Sequence, residues 1–341
     1  MVSYDILQLL HTLTLERAAN AFKVWISYQI SKILHKDKHA GYPIAISIEP
    51  TTYCNLRCPE CPSGLRQFTR PTGSLSIDVF RNIIDQLHPK TFYLTLYFQG
   101  EPYLNPQFHD MVRYARQKNM YVATSTNGHY LTFENAQKIV DSGLNRLIIS
   151  IDGTTQETYQ KYRIGGNLDT VVQGIQNIVQ AKRKNKVKHP YVILQFIVFR
   201  HNEHEIQEIK RLAKIWQVDA LHIKTAQIYN FENGSPLLPQ SEQYRRYTQT
   251  KTGKFVIKNR LLNHCWKLWH SCVFTWDGKV LPCCFDKDAQ YEMGNIQFES
   301  FANIWRNEKY AQFRKQILKS RANIEMCRNC TEGTKTSLKF E

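Results

Sequence analysis

A chain of 341 residues, 42% of them apolar, is long enough for one large domain and a smaller second one. Lys and Arg outnumber Asp and Glu by 45 to 29, giving +16, which favours an anionic partner: a phosphorylated metabolite, an acidic peptide, nucleic acid or an anionic membrane. No uncharged run approaches the roughly 20 residues that span a bilayer, and Asp5 sits where a secretory leader carries positive charge, so a cytoplasmic protein is expected, soluble or attached to a membrane surface.

Residues 4 to 36 read as one long helix or two. Ile6, Leu9, Leu10 and Leu13 share one face, as do Phe22, Trp25 or Ile26, and Ile33. Lys23, Lys32, Lys36 and Lys38 flank the second half. Residues 1–40 therefore form a helical extension expected to pack on the main domain, with peripheral membrane contact as the alternative. From residue 45 strand and helix alternate. Apolar runs fall at 46–48, 92–98, 121–124, 147–151, 191–199 and 220–223. Ser76 can cap a helix carrying Ile77, Phe80, Ile83, Ile84 and Leu87, and Thr132 one carrying Ala136, Ile139 and Val140, with Gly143 as its stop. Val171, Ile175 and Ile178 form the next face, and Ile206, Ile209 and Ala213 another. Six strands alternating with helices over 41–228 predict a parallel α/β sheet, and periodicity alone leaves open sheet and barrel equally open. The basic run from Lys182 to Lys188 closes a helix, where cations suit the dipole.

The alternation stops near residue 225. Asn233-Gly234-Ser235-Pro236 and Pro239 mark 229–260 as a linker. In 261–341, Asp277-Gly278 between apolar runs predicts a two-residue hairpin, and Ser300 opens a helical stretch ending in Cys327-Arg-Asn-Cys330. The tail reads as a small domain held by cysteines.

Nine cysteines fall into two groups: Cys54, Cys58 and Cys61, then Cys265, Cys272, Cys283, Cys284, Cys327 and Cys330. Clusters with two-residue gaps argue for metal ligands in a reducing compartment. Three thiolates within eight residues leave one iron of an iron–sulfur cube open, and an open position marks chemistry, by the logic that separates catalytic from structural zinc. Four further features sit at strand ends, where parallel α/β folds place ligands: Gln99-Gly100-Glu101-Pro102, Ser125-Thr126-Asn127-Gly128, Ser150-Ile151-Asp152-Gly153 with Arg163 beyond it, and Val198-Phe199.

With Cys54-x3-Cys58-x2-Cys61 ahead of them, these features resemble the radical SAM superfamily over residues 45 to 225, with Gln99 and Glu60 as departures from its pattern. The resemblance implies a partial (β/α)6 TIM-like barrel and a [4Fe–4S] cluster on Cys54, Cys58 and Cys61. It also implies S-adenosylmethionine held by Gly100 and Glu101 at the methionyl amine, Ser125 and Asn127 at the ribose, Ser150 and Arg163 at the carboxylate, and Val198 at the adenine. A guanidinium fork suits a carboxylate. The implied activity is reductive cleavage to a 5′-deoxyadenosyl radical that abstracts hydrogen, with flavodoxin or ferredoxin as reductant. The tail resembles the SPASM domain in its single-cluster form from about 265 to 333, which implies an auxiliary [4Fe–4S] cluster. Counting outward from Asp277-Gly278 pairs Cys272 with Cys283 and makes Cys272 a rival to Cys265, but the family spacing favours Cys265, Cys283, Cys327 and Cys330. Zinc is the alternative metal.

Cys272 and Cys284 remain as candidate hydrogen donors, and Asp286 and Tyr97 as candidate bases. The expected reaction is oxidation or epimerisation of a small anionic or sugar-like metabolite. The alternatives are peptide or protein side-chain modification and a non-catalytic iron–sulfur electron carrier. The sequence holds no aromatic–basic module for nucleic acid.

Overall fold

The computed structural model describes residues 4–258 and 260–331; residues 332–341, assigned above to the tail, lie outside the described residues. Two helices come first, α1 (Tyr4–Leu10) and α2 (Leu15–Leu34), the second capped by the Thr14 hydroxyl, which accepts the Arg17 amide at 3.2 Å. Then come β1 (Ala45–Ile48), α3 (Pro62–Leu65), α4 (Ile77–Leu87), β2 (Tyr93–Thr95), α5 (Phe108–Gln117), β3 (Tyr121–Thr126), α6 (Phe133–Asp141) and β4 (Arg146–Ser150). They are followed by α7 (Gln156–Gln160), α8 (Leu168–Lys184), β5 (Tyr191–Val198), α9 (Ile206–Ile215) and β6 (Ala220–Thr225). Ser76 and Thr132 cap α4 and α6 as the sequence predicts. Strands β1 to β6 pair in chain order and in parallel, forming the partial (β/α)6 barrel.

Strand alternation sorts the side chains. Ile46, Ile48, Leu94, Leu96, Val122, Leu147, Ile149, Val192 and Leu194 pack with the helix faces Phe80, Ile83, Met111, Ile139, Ile175 and Ile209 in one core. Ser47 and Thr95 face the other way, into the barrel.

The strand starts are closed by α1 and α2, and here the expected packing is reversed. The inward face is polar. Asp5 is buried and takes the Tyr121 hydroxyl and the Arg146 guanidinium. The Arg17 guanidinium donates to the carbonyls of Thr12, His88, Lys118 and Asn119, two of them at the C-terminal ends of α4 and α5, where carbonyls lack helical partners. Asn20 takes the Tyr42 amide at 2.8 Å and donates to the Tyr42 carbonyl at 3.0 Å. The apolar residues expected to pack inward, Ile6, Leu10, Phe22 and Ile33 among them, face out.

Beyond the barrel, the stretch read as a linker carries a two-stranded hairpin, β7 (Tyr247–Gln249) with β8 (Phe255–Ile257), anchored by the buried Tyr247 hydroxyl against Ile228 and Asn329. The tail adds α10 (Trp266–His270), β9 (Ser271–Phe274), β10 (Lys279–Leu281), β11 (Gly294–Asn295), α11 (Phe301–Arg306), α12 (Glu308–Ser320) and α13 (Glu325–Arg328). Its strands continue the main sheet, because β9 pairs in parallel with β1, Ile46 beside Cys272, so the sheet has nine strands. The hairpin differs from the expected two-residue turn. Phe274 pairs with Val280 and Val273 with Leu281, leaving Trp276, Asp277 and Gly278 in the loop, with Gly278 at φ +80° as three-residue hairpins require. The extra loop residue moves Cys272 out of register with Cys283.

Candidate active site and auxiliary centre

The first cysteine loop leaves the C-terminal end of β1. Cys58 is buried, and Cys54 and Cys61 are half-buried. Leu56 and Cys58 sit among Tyr162, Phe199, Ala226 and Ile228, and the Tyr162 and Phe199 rings lie 4.1 Å apart beneath them. Gly64 is needed because a Cβ there would stand 2.5 Å from the Cys58 amide nitrogen. Gly100 is needed for two reasons: its φ is +72°, and a Cβ would meet the Thr51 carbonyl at 2.3 Å. The Glu60 carboxylate, the departure beside the last cysteine, accepts the Tyr229 amide at 2.9 Å and ties the loop to the chain after β6.

The strand-end groups converge on this loop. Glu101 is buried; Oε1 accepts the Thr126 hydroxyl at 2.7 Å and Oε2 the Asn127 amide at 2.8 Å. Burial pushes its pKa up to about 7 against these hydrogen bonds. Asn127 donates to Asn55 Oδ1 at 2.8 Å and reaches Cys54 Sγ at 4.0 Å. Its own Oδ1 accepts from His129 Nδ1 at 3.0 Å, while the Asn167 amide donates to His129 Nε2 at 2.9 Å. His129 is therefore the neutral Nδ1–H tautomer. Ser150 ends β4 and is buried, and Ser125 is half-buried on β3. Arg163 donates from Nε to Asp152 Oδ2 at 2.6 Å, and its positive charge opposes the burial that raises the Cys58 pKa.

Asp152 is the residue that motif reading missed. It is fully buried, and its Oδ1 accepts the Ile197 amide at 2.7 Å, while Asn202, also fully buried, holds the Asp152 carbonyl at 3.0 Å. The signal was present, since Asp152 follows the quoted Ser150, but only the fold brings Arg163 and β5 to it. A second missed pair, Glu49 and Arg70, is buried and bidentate at 2.6 and 2.8 Å, and ties the chain after the cysteine loop to the Trp276 amide. Val198 is corrected. It lies in the helix-side core, whereas Ile197 and Phe199 pack toward Leu56 and Cys58, because neighbours on a strand face opposite ways.

In the tail, Cys265, Cys283, Cys327 and Cys330 line a single cavity with Leu268, Phe313 and Ile317. Cys272 is absent from that lining; it is buried in the core beneath the helix layer. The buried Arg321 guanidinium donates to Cys330 Sγ at 3.3 Å, placing a cation beside the four sulfurs. Burial pushes the Cys54 thiol up to about 12 and the Cys327 thiol to about 11, so a bound cationic centre is what would draw thiolate from either. Among the described residues no three His, Cys, Asp or Glu side chains converge tightly enough for a single metal ion.

Residues 48–213 match the radical SAM superfamily, and residues 265–331 match SPASM, an iron–sulfur cluster-binding domain. The chain belongs to the radical SAM superfamily. Among curated relatives it is 24% identical over 308 residues to a tungsten-containing aldehyde ferredoxin oxidoreductase cofactor-modifying protein of Pyrococcus furiosus, covering 78% of this chain and 82% of that one. It is 26% identical over 330 residues to the AdoMet-dependent heme synthase of Methanosarcina barkeri, covering 84% and 91%. It is also 26% identical over 285 residues to the mycofactocin maturase MftC of Mycobacterium tuberculosis, covering 78% and 71%. Among solved structures it shares its fold with BtrN in complex with AdoMet and 2-DOIA, at TM-score 0.53 and 19% identity, covering 86% and 95%. A second is AdoMet-bound anSMEcpe, at TM-score 0.62 and 17% identity, covering 86% and 89%. The protein is thus a radical SAM enzyme, using a [4Fe–4S] cluster with S-adenosylmethionine, and its SPASM domain carries auxiliary iron–sulfur.

Two further cavities open in this radical SAM fold. The inner one, about 290 Å³, lies inside the barrel below Gln99 and is lined by Ser47, Thr95, Tyr97, Gln227, Lys267, Cys284 and Lys287, among others. Phe285, Gln227 and Lys287 also border an outer cavity of about 400 Å³ between the chain after β6, the 285–291 loop and α13. Cys283 and Cys284 therefore point to opposite sides, one to the sulfur cavity and one to the barrel interior. Lys287 donates to the Tyr229 hydroxyl at 2.6 Å, and burial lowers its pKa. One expectation is corrected. Cys272, with its pKa pushed far up by burial, reaches neither cavity. Asp286 lines the outer cavity and accepts the Gln290 and Tyr291 amides at 2.8 Å, one on each oxygen, which fixes the loop. Among the described residues no helix is long and apolar enough to cross a membrane.

Proposed function

We propose that the enzyme oxidises or epimerises a small, hydroxylated, anionic metabolite bound in the inner cavity. The observation that carries this reading is the cavity's lining: hydroxyls and amides from Ser47, Thr95, Tyr97, Gln99 and Gln227, two lysines, and no carboxylate among the described lining residues. Lys267 and Lys287, both half-buried at this cavity, would meet a phosphate or carboxylate while the hydroxyl-bearing residues orient the rest. About 290 Å³ suits a sugar-sized molecule better than a peptide segment.

Cys54, Cys58 and Cys61 would hold the catalytic cluster. Gly100, Glu101, Ser125, Asn127, Ser150 and Arg163 would hold the nucleoside ligand, and Cys265, Cys283, Cys327 and Cys330 the auxiliary cluster. Bound together and reduced by a flavodoxin or ferredoxin, these groups supply a 5′-deoxyadenosyl radical that takes hydrogen from the substrate. This chain's own residues then decide the outcome. Cys284, facing the inner cavity, could return a hydrogen atom from its thiol and so complete an epimerisation, the thiyl radical then taking one electron from the reductant by way of the auxiliary cluster and one proton from solvent; in an oxidation that cluster would instead accept the substrate radical's electron as a proton leaves to solvent. The apolar bed of Leu56, Tyr162 and Phe199 keeps water from the first loop. Modification of a peptide side chain is the second reading, supported by the outer cavity, which opens to the surface and adjoins the inner one.

Anaerobic turnover with S-adenosylmethionine separates these readings. Sugar phosphates or uronates should stimulate 5′-deoxyadenosine formation in the wild type. Lys287→Met should lose that stimulation while keeping the basal, substrate-free release. Stimulation by peptides alone would refute the small-molecule reading.

A further inference from the structure

The N-terminal helices carry their apolar side outward. On α2 the residues that meet the barrel are Arg17, Asn20, Val24, Ser27, Tyr28 and Ser31. Leu15, Phe22, Trp25, Ile26, Ile30 and Ile33 face solvent, with exposures from 36% for Ile26 to 92% for Leu15. At the helical repeat those six fall within an arc of roughly 140°. The shorter α1 repeats the pattern, with Asp5 buried and Ile6, Leu7 and Leu10 exposed. More than half of the large exposed apolar side chains among the described residues lie before residue 35. Such a concentration marks an interaction surface, whereas single exposed leucines do not.

Charge says what covers it. Lys23 and Lys32 fall on opposite borders of the arc, where long side chains can lay their stems along apolar surface and lift their charges to its rim. Glu16 is the one acid on α2, and Trp25 sits at a border, as aromatic rings do at a membrane interface. The basic run that closes α8 comes to the same place: Lys188 Nζ lies 5.8 Å over the Tyr4 ring, and Arg183 and Lys186 share a surface hollow with Tyr4. A second copy of the chain would set these lysine rims against one another, whereas an anionic lipid surface would neutralise them all.

We infer that α1 and α2 dock this enzyme on an anionic membrane surface through the outward apolar arc and its lysine rims. The position fits such attachment. Both helices run beneath the strand starts, through contacts to Tyr42, His88, Asn119 and Asn145. The cysteine loop and both cavities open at the strand ends on the opposite side, so a docked enzyme keeps its mouth free.

The test is flotation of the full-length, cluster-loaded enzyme with lipid vesicles under anaerobic conditions. Vesicles of phosphatidylcholine with about one-third phosphatidylglycerol should carry the wild type up, and pure phosphatidylcholine should not. Replacing Lys23→Glu and Lys32→Glu together should weaken partitioning by roughly fivefold or more per lysine. Ile26→Asp and, independently, Leu15→Asp should abolish it. All three variants alter outward side chains, so each should retain its visible cluster absorbance and its release of 5′-deoxyadenosine. Failure of the wild type to float with anionic vesicles would overturn the inference, as would flotation that Ile26→Asp and Leu15→Asp leave unchanged. A lipid-free dimer that Ile26→Asp splits would assign the arc to a second copy instead.

Discussion

Replacing Asp152→Asn probes the support of Arg163 with little change of shape. Both carboxylate oxygens are in use, Oδ2 on Arg163 Nε at 2.6 Å and Oδ1 on the Ile197 amide at 2.7 Å. In the amide, one of those donors must face an NH2 group. Arg163, whose side chain is 12% exposed, also loses its counter-charge. Breaking a buried pair from one side costs about 3–5 kcal/mol. An unfolding entropy of about 2.1 cal/mol/K per residue converts that, over a chain this long, into a fall in Tm of roughly 4–7 °C. Because the Arg163 charge also acts on the Cys58 thiol, 5′-deoxyadenosine formation should drop roughly ten- to hundredfold, as when a supporting partner of a metal site is lost. Anaerobic calorimetry and chromatography of the nucleoside read the two effects. A variant whose Tm stays within about one degree and whose nucleoside release is unchanged would show that Asp152 does not hold Arg163 in place.

Gly100→Ala should push the first cysteine loop away from the Thr51 carbonyl, now 2.3 Å from the added carbon, at a cost of about 1–3 kcal/mol; binding of S-adenosylmethionine by the reconstituted enzyme should fall, as equilibrium dialysis would show. Cys283→Ala should take up about half the iron of the wild type, whereas Cys272→Ala should keep it all, and iron assay with absorbance decides between the two thiols. His39 lies against the Trp305 ring at 5.1 Å, and burial, then Arg314, lowers its pKa to about 3. The unfolded chain takes up that proton near 6.5 and the folded chain does not, so the stability contribution is complete above 6.5 and is lost as pH falls toward 3. His39→Phe should therefore lose less Tm than the wild type between pH 7.5 and 5.5, and equal losses would contradict this account.

The strands and helices of the barrel could be read from the sequence because each obeys one periodicity over its whole length, as Ile77, Phe80, Ile83, Ile84 and Leu87 do on α4. The cysteines were equally visible, being chemistry carried by residue type and local spacing. What the sequence hid is of three kinds. On α2 the apolar stripe was seen, but a stripe alone does not say which way it faces, and Arg17 and Asn20 decided that through carbonyls far away in the chain. At the tail hairpin, one added loop residue changed the partner of Cys272; Asp-Gly pairs serve two-residue and three-residue turns alike, so local composition could not choose. Asp152 and Glu49 looked like ordinary strand-end carboxylates. Their roles exist only once Arg163 and Arg70 arrive across the fold.

The pairing of β1 with β9 has a consequence for how the molecule is made. The strand that launches the first cysteine loop is flanked by β2 on one side and by β9, from the far end of the chain, on the other. Until Ser271–Phe274 has left the ribosome, β1 offers an open row of amides and carbonyls beside the nascent loop, and such edges recruit other chains. Fragments that stop short of Ser271 should therefore aggregate during synthesis. The last part of the chain thereby closes the sheet edge from which the first cysteine loop departs.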